Sequence, residues 1–95
     1  MQQGKIDEAI SQLQALQANA PEAKGLDLEL GTAYYKKGEF ELAVRALQRA
    51  AAMDPNNPTT HHLLGQAYRD MGKKDEAENE LKLAEQLQTK QDSLK

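Results

Sequence analysis

Apolar residues return along this chain at intervals of three and four, in stretches separated by glycines and prolines. Ile6, Ala9, Ile10, Leu13 and Leu16 form the first stripe, a spacing that turns one face of an α-helix toward a core. It predicts a helix from Lys5 to about Asn19, with Asp7 and Glu8 in its first turn, where carboxylates suit the helix dipole. Pro21 ends that helix or opens the next, because proline is accepted in a first turn and not in an interior. Leu26, Leu30, Ala33 and Tyr34 predict a second helix over about Glu22 to Lys37, closed by Gly38. A third, over about Glu39 to Met53, carries Phe40, Ala43, Val44, Leu47, Ala50 and Ala51. Asp54-Pro55-Asn56-Asn57-Pro58 reads as a turn, with Asn57 placed to cap and Pro58 to begin a fourth helix. That helix runs through His61, Leu64, Gly65, Ala67 and Tyr68 to about Asp70, and Gly72 closes it. The fifth, from Lys74 to about Thr89, uses Ala77, Leu81, Ala84 and Leu87; the polar run Lys90 to Lys95 is expected to fray.

The stripes themselves repeat. Gly4, Gly38 and Gly72 are each 34 residues from the next, and Ala9, Ala43, Ala77 and Leu13, Leu47, Leu81 keep the same step. Leu30-Gly31 answers Leu64-Gly65, Ala33-Tyr34 answers Ala67-Tyr68, and Pro21 answers Pro55. A fixed period of this size marks stacked supersecondary units, and the three evenly spaced glycines are expected at corners between helices. Gly31 and Gly65 fall inside helices, where glycine costs about 1 kcal/mol against alanine. Their return at the period points to close helix–helix approach.

These residues resemble the tetratricopeptide repeat family, whose 34-residue unit reads W-x₂-L-G-x₂-Y, then A-x₃-F, then P. The first full unit supplies Asp27-x₂-Leu30-Gly31-x₂-Tyr34, Ala43-x₃-Leu47 and Pro55. The second supplies His61-x₂-Leu64-Gly65-x₂-Tyr68 and Ala77-x₃-Leu81, with Thr89 in place of the proline. Asp27 and His61 stand where the family has an aromatic, and leucines stand for the phenylalanine. The resemblance implies an all-α, right-handed solenoid of about five helices in the order B-A-B-A-B. It implies one domain over residues 1–95: a half repeat at 4–23, full repeats at 24–57 and 58–91, and a polar tail at 92–95. It also implies a scaffold that binds a partner protein or peptide on a concave surface built from the A helices, and not an enzyme.

Composition narrows the remaining chemistry. Ninety-five residues with 39% hydrophobic content allow one small domain, and a thin-layered solenoid can pack on Ala and Leu. A net charge of −3 with both signs interspersed argues against nucleic acid as a partner. The absence of cysteine removes disulfides, thiolate metal sites and cysteine nucleophiles, and leaves the compartment undecided. No apolar run approaches the roughly 20 residues of a membrane helix, so no membrane insertion is expected. His61 and His62 point about 100° apart on a helix and share no ion readily; His61 is expected to be half-buried in a packing role. The cluster Asp75, Glu76, Glu78 and Glu80 reads as a solvated face. No catalytic set, metal site or cofactor is expected.

The A helices leave an inward-facing row of Leu28, Thr32, Tyr35 and Lys36 in the first unit and His62, Gln66, Arg69 and Asp70 in the second. These are the candidate partner-binding residues, with Leu30, Gly31 and Tyr34 assigned to the partner B helix. The ends differ. Ile10 and Val44 stand where a following helix docks, and the last B helix has Glu78 and Glu85 at the positions of Val44 and Ala51, as a solvated end would. The first B helix carries Ala9, Leu13 and Leu16 toward an A helix for which only four residues precede it. That leaves three explanations: truncation of a longer array, a symmetric dimer covering the stripe, or exchange of helices between chains. Truncation is favoured, with self-association in a homo-oligomer through this stripe as its consequence. Two and a half units also fall below the roughly three that give comfortable stability. The chain therefore reads as a truncated piece of a longer array. Family members that grip acidic chaperone tails place Lys, Asn and Arg at A-helix positions held here by Leu28, Glu29, Thr32, Thr59, Leu63 and Gln66. Titration with a short acidic C-terminal peptide is therefore expected to give no micromolar binding; a saturable micromolar signal would contradict that.

Overall fold

Helix boundaries follow the glycines and prolines closely, with instructive differences. A computed structural model describes residues 2–21, 23 and 25–93. Its helices are α1 (Gln2–Asn19), α2 (Leu26–Lys37), α3 (Phe40–Met53), α4 (Pro58–Asp70) and α5 (Lys74–Ser93). Each packs on its neighbour in sequence, and α2 also touches α4. Repetition of an A helix on its B helix, α2 on α3 and α4 on α5, produces a layered body of 37 × 30 × 21 Å.

Gly38 and Gly72 make the two corners. Both take positive φ, 88° and 80°, a conformation that costs a side-chain-bearing residue. At the first corner the amide of Gly38 donates to the Tyr35 carbonyl and that of Glu39 to the Tyr34 carbonyl; Gly72 and Lys73 repeat this on Arg69 and Tyr68. Paired bonds of this kind satisfy the last carbonyls of a helix. Gly4 departs from the expectation. It lies inside α1, without positive φ, so the backbone makes no reversal there.

Other boundaries shift for local reasons. Because α1 begins at Gln2, Asp7 is not in its first turn; its carboxylate instead meets the Lys37 ammonium at 2.7 Å. Pro21 neither ends α1 nor opens α2, but lies in the connection between Asn19 and Leu26. Asn57 caps α4 as its sequence position suggests, accepting from the Thr59 amide at 3.0 Å, with Pro58 in the first turn. At the far end α5 runs on to Ser93 rather than fraying from Lys90. Gln88 donates to Asp92 at 3.1 Å, Ser93 to the Thr89 carbonyl at 3.0 Å, and Gln91 to the Asn56 carbonyl at 3.2 Å. Leu94 and Lys95 lie outside the described residues.

Two seats hold the A helices on the B helices. A Cβ placed on Gly31 would stand 2.6 Å from Leu47 Cγ, and one on Gly65 would stand 2.6 Å from Leu81 Cγ. Around them the core divides into a cluster of Ala43, Val44, Leu47, Leu64 and Ala67 and another of Ile10, Leu30, Ala33 and Ala46. The seams between units repeat as well. Gln14 of α1 donates to the Tyr34 hydroxyl at 2.8 Å, and Gln48 of α3 to the Tyr68 hydroxyl at 3.0 Å. Tyr34 thus packs on its own B helix, as its assignment has it, and also reaches the preceding one.

The repeat position where the family has an aromatic is buried and polar in both units. Asp27 Oδ1 accepts from Gln17 Nε2 at 2.7 Å and from Arg49 Nε at 3.1 Å. His61, 6% exposed, places Nδ1 2.7 Å from Glu80 Oε2 and Nε2 2.8 Å from the Pro55 carbonyl oxygen. Both ring nitrogens thus have a polar partner. His61 is therefore a buried polar brace between α4, α5 and the preceding turn, not a half-buried packing residue. Such partnering matters because an unpaired buried polar group costs about 1–3 kcal/mol; among the described residues no buried side-chain nitrogen or oxygen lacks a partner.

The A helices are tied to each other by a side-chain hydrogen bond, in which the Tyr35 hydroxyl donates to Asp70 Oδ2 at 2.7 Å. That hydrogen bond, then burial and the Asp70 charge, raise the Tyr35 pKa above its ordinary value. The neutral phenol is favoured by folding, so its contribution is present below the ordinary tyrosine range, about pH 10, and is lost as pH rises through the raised value. Alkaline titration of tyrosinate absorbance should show Asp70→Asn bringing one tyrosine down toward the ordinary range; no change would remove the Asp70 bond from the account. Gly31→Ala should lower stability by about 1–2 kcal/mol, because overpacking against fully buried Leu47 outweighs the gain in helix propensity. Gly65→Ala should cost less, since Leu81 is half-buried and can swing outward. Urea denaturation followed by circular dichroism ranks the two.

Candidate functional site

Chemistry on this molecule must be looked for on the surface of α2 and α4, where side chains are not consumed by the core. Leu28, Thr32, Tyr35 and Gln66 are half-buried, while Lys36, His62, Arg69 and Asp70 are exposed. Leu28 and Tyr35 also lean on the core cluster centred on Leu47, and the Tyr35 ring lies 5.5 Å from that of Phe40, tilted by 58°. Tyr35 is thus partly structural. Thr32 Oγ1 donates to the Leu28 carbonyl of its own helix at 2.8 Å, which satisfies its hydroxyl internally.

The row does not form one cleft. Leu28, Thr32 and Lys36 line an open groove of about 480 Å³ between α1 and α2, opposite Ile6, Ala9 and Leu13. His62 lines another, of about 460 Å³, with Pro58, Thr59, Leu81 and Ala84. Tyr35 and Asp70 line neither groove and are hydrogen-bonded to each other. The structure therefore brings two of the self-association candidates, Ala9 and Leu13, to the same groove as three partner-binding candidates. Leu16, 53% exposed, stands apart from that groove.

Ile6, Lys5, Glu29 and Thr59 also line the first groove and were not among the sequence candidates. Ile6 had a signal available: it precedes Ala9 by three and Leu13 by seven, on one helical face. Thr59 had none, since it arrives from α4. At the other end Glu78 and Glu85 are exposed, and Leu83 stays 37% exposed beside half-buried Leu87. Among the described residues no group of three His, Cys, Asp or Glu could hold a metal ion, and no helix is long and apolar enough to cross a membrane. Positive charge at the row comes from Lys36 and Arg69, with Asp70 engaged by Tyr35.

Comparison with known proteins agrees with this geometry. The TPR repeat model matches residues 31–72 and the tetratricopeptide repeat model residues 58–91. A pentatricopeptide-repeat-containing protein of Arabidopsis thaliana is 37% identical over 75 residues, covering 79% of this chain and 17% of that protein. Among solved structures, MamA of MSR-1 superposes with a TM-score of 0.86 at 26% identity, covering 92% of this chain and 50% of that one. MamA of AMB-1 gives 0.85 at 27% identity, covering 93% and 52%. The chain thus spans about half the length of the MamA structures and a small part of the plant protein. Two repeat models that together run from residue 31 to 91, on five stacked helices of MamA-like fold, place the chain in the tetratricopeptide repeat family of protein-interaction scaffolds.

Proposed function

We propose that this chain docks a partner protein or peptide through the concave side of α2 and α4, using Leu28, Thr32, Tyr35, Lys36, His62, Gln66, Arg69 and Asp70. The observation that carries the reading is the pair of open grooves that this row lines in part, one walled by Leu28, Thr32 and Lys36 and the other by His62. Apolar lining with a few polar groups at the rim is the usual make-up of a recognition groove. Lys36 and Arg69 flank the row with Asp70 already engaged by Tyr35, which suits a segment carrying apolar and acidic side chains. Catalysis is no part of this reading, and a net charge of −3 favours protein over nucleic acid as the partner.

A second reading draws on Leu16, whose exposure leaves an apolar side chain in water beyond the Ala9 and Leu13 groove. Burying one leucine contributes about 1.5–3 kcal/mol, so a stripe of Ala9, Leu13 and Leu16 could pair with a second copy in an assembly segment of a larger repeat protein. The domain division into a half repeat and two full repeats fits either reading.

A photo-crosslinking residue at Gln66, compared with one at Arg45 on the outer surface of α3, separates inward from outward contact. Partner adducts from Gln66 and none from Arg45 are expected in extract from the source cell, lost on Arg69→Glu with helicity unchanged. Adducts from Arg45 alone would reject the concave reading. Sedimentation at dilute and concentrated protein checks the second reading, which a monomer throughout would reject.

A further inference from the structure

We infer that the cavity enclosed by the start of α2, the end of α3 and the start of α4 takes a lysine side chain of a partner protein, its ammonium on Asp27 with Asp54 adding negative charge. This site rests on the reading of the chain as a protein-docking module, and it names one side chain that the docked partner brings.

The cavity lies within the stack, walled by three consecutive helices. Its volume is about 240 Å³, roughly half that of either groove, and its lining includes Asp27, Leu28, Ala50, Met53, Asp54 and Thr60. Leu28 also lines the groove that holds Thr32 and Lys36, so the two share a wall. The lining divides by polarity. Leu28, Ala50 and Met53 supply apolar surface, with Met53 the exposed member of the three. Asp27 and Asp54 supply carboxylates, and among the described lining residues none is basic.

Asp27 is the group that calls for a ligand. Its side chain is only 8% exposed. Oδ1 is occupied, accepting from Gln17 and from Arg49, whereas Oδ2 has no hydrogen-bond partner among the described residues. No fully buried side-chain oxygen there lacks a partner, so Oδ2 belongs to the small accessible part of Asp27, and the open space that Asp27 lines is this cavity. A carboxylate oxygen so enclosed is best satisfied by a charged donor. Arg49, half of whose side chain is exposed, offsets one of the two carboxylates and leaves the other.

The acceptors that remain select lysine over arginine. A guanidinium fork is satisfied by two oxygens of one carboxylate, and Asp27 has one left. An ammonium is a compact charge on a flexible aliphatic stem. The stem packs on Leu28, Ala50 and Met53 while the head donates to Asp27 Oδ2. An acidic side chain is repelled by both carboxylates, and an apolar one leaves Oδ2 without a donor.

The probes are n-butylammonium, n-butanol, and acetylated, amidated alanine pentapeptides with a central lysine or arginine, each titrated into the full chain. Methyl shifts of Leu28, Ala50 and Met53 locate binding, and their saturation gives Kd. Shifts are expected from butylammonium and the lysine peptide and not from butanol, with the lysine peptide about threefold tighter than its arginine counterpart. Asp54→Asn, at an exposed position, should weaken both cations about threefold, and Asp27→Asn about tenfold. Arg49→Gln removes a competing cation and should tighten binding about threefold, a gain that a merely structural role for Asp27 does not produce. Should Asp27→Asn fail to fold, the Asp54 and Arg49 variants decide. Absent shifts, an equal response to butanol, preference for arginine, or affinities unmoved by Asp54→Asn and Arg49→Gln would each overturn the inference. So would butylammonium binding with the lysine peptide excluded, which makes the cavity a site for small free amines. Crosslinking from Gln66 reads the α4 row independently: absent shifts beside a Gln66 adduct reject the cavity and leave the concave reading in place. Lysine binding beside adducts from Arg45 alone keeps the cavity and rejects the row.

Discussion

Everything in this molecule is arranged around the contact of a glycine with a leucine. Gly31 on Leu47 and Gly65 on Leu81 let an A helix approach its B helix more closely than any side chain would permit. That approach keeps each layer thin enough for alanines such as Ala43, Ala46 and Ala67 to be fully buried, and it lets a chain with few large apolar residues exclude water from two core clusters. Glycine inside a helix loses about 1 kcal/mol of propensity, and dense packing around it offsets that loss. The period of the repeat follows from the need to bring the next glycine over the next leucine.

Function follows from what the seats leave over. An A helix that gives one face to its own B helix and another to the preceding B helix, through Tyr34 and Gln14 or Tyr68 and Gln48, has one side unspent. On α2 and α4 that side carries Leu28, Thr32, Lys36, His62, Gln66 and Arg69. The two ends of the stack differ because their B helices differ. Exposed Glu78 and Glu85 make the α5 end compatible with water, whereas Ile6, Ala9 and Leu13 at the α1 end keep the apolar face that α3 and α5 bury.

Most of the fold was legible in the sequence because short-range chemistry and a strict period agreed. Helix order, the Asn57 cap and the corners at Gly38 and Gly72 follow from local signals. What was not legible depends on neighbours distant in sequence. Glu80 and the Pro55 carbonyl turn His61 into a buried brace, and no local pattern announces them. Gln91 reaching Asn56 helps hold the end of α5 that composition alone marks as a frayed tail. Gly4 misled as well: the period places a corner there, yet its backbone stays helical and without positive φ. Of the site, the inward row was readable as a helical face. Its division into two grooves, and the meeting of Ala9 and Leu13 with Leu28 and Thr32, required the packing of α1 on α2.

Native-state amide hydrogen exchange resolved by residue tests the central claim most directly, because it reports the opening free energy of each helix within one folded molecule. If stability resides in the glycine–leucine seats, amides from Ala43 to Ala50 of α3 are the slowest to exchange and those from Ala9 to Leu16 of α1 exchange markedly faster. Equal protection of α1 and α3, or a maximum in α1, would contradict the account.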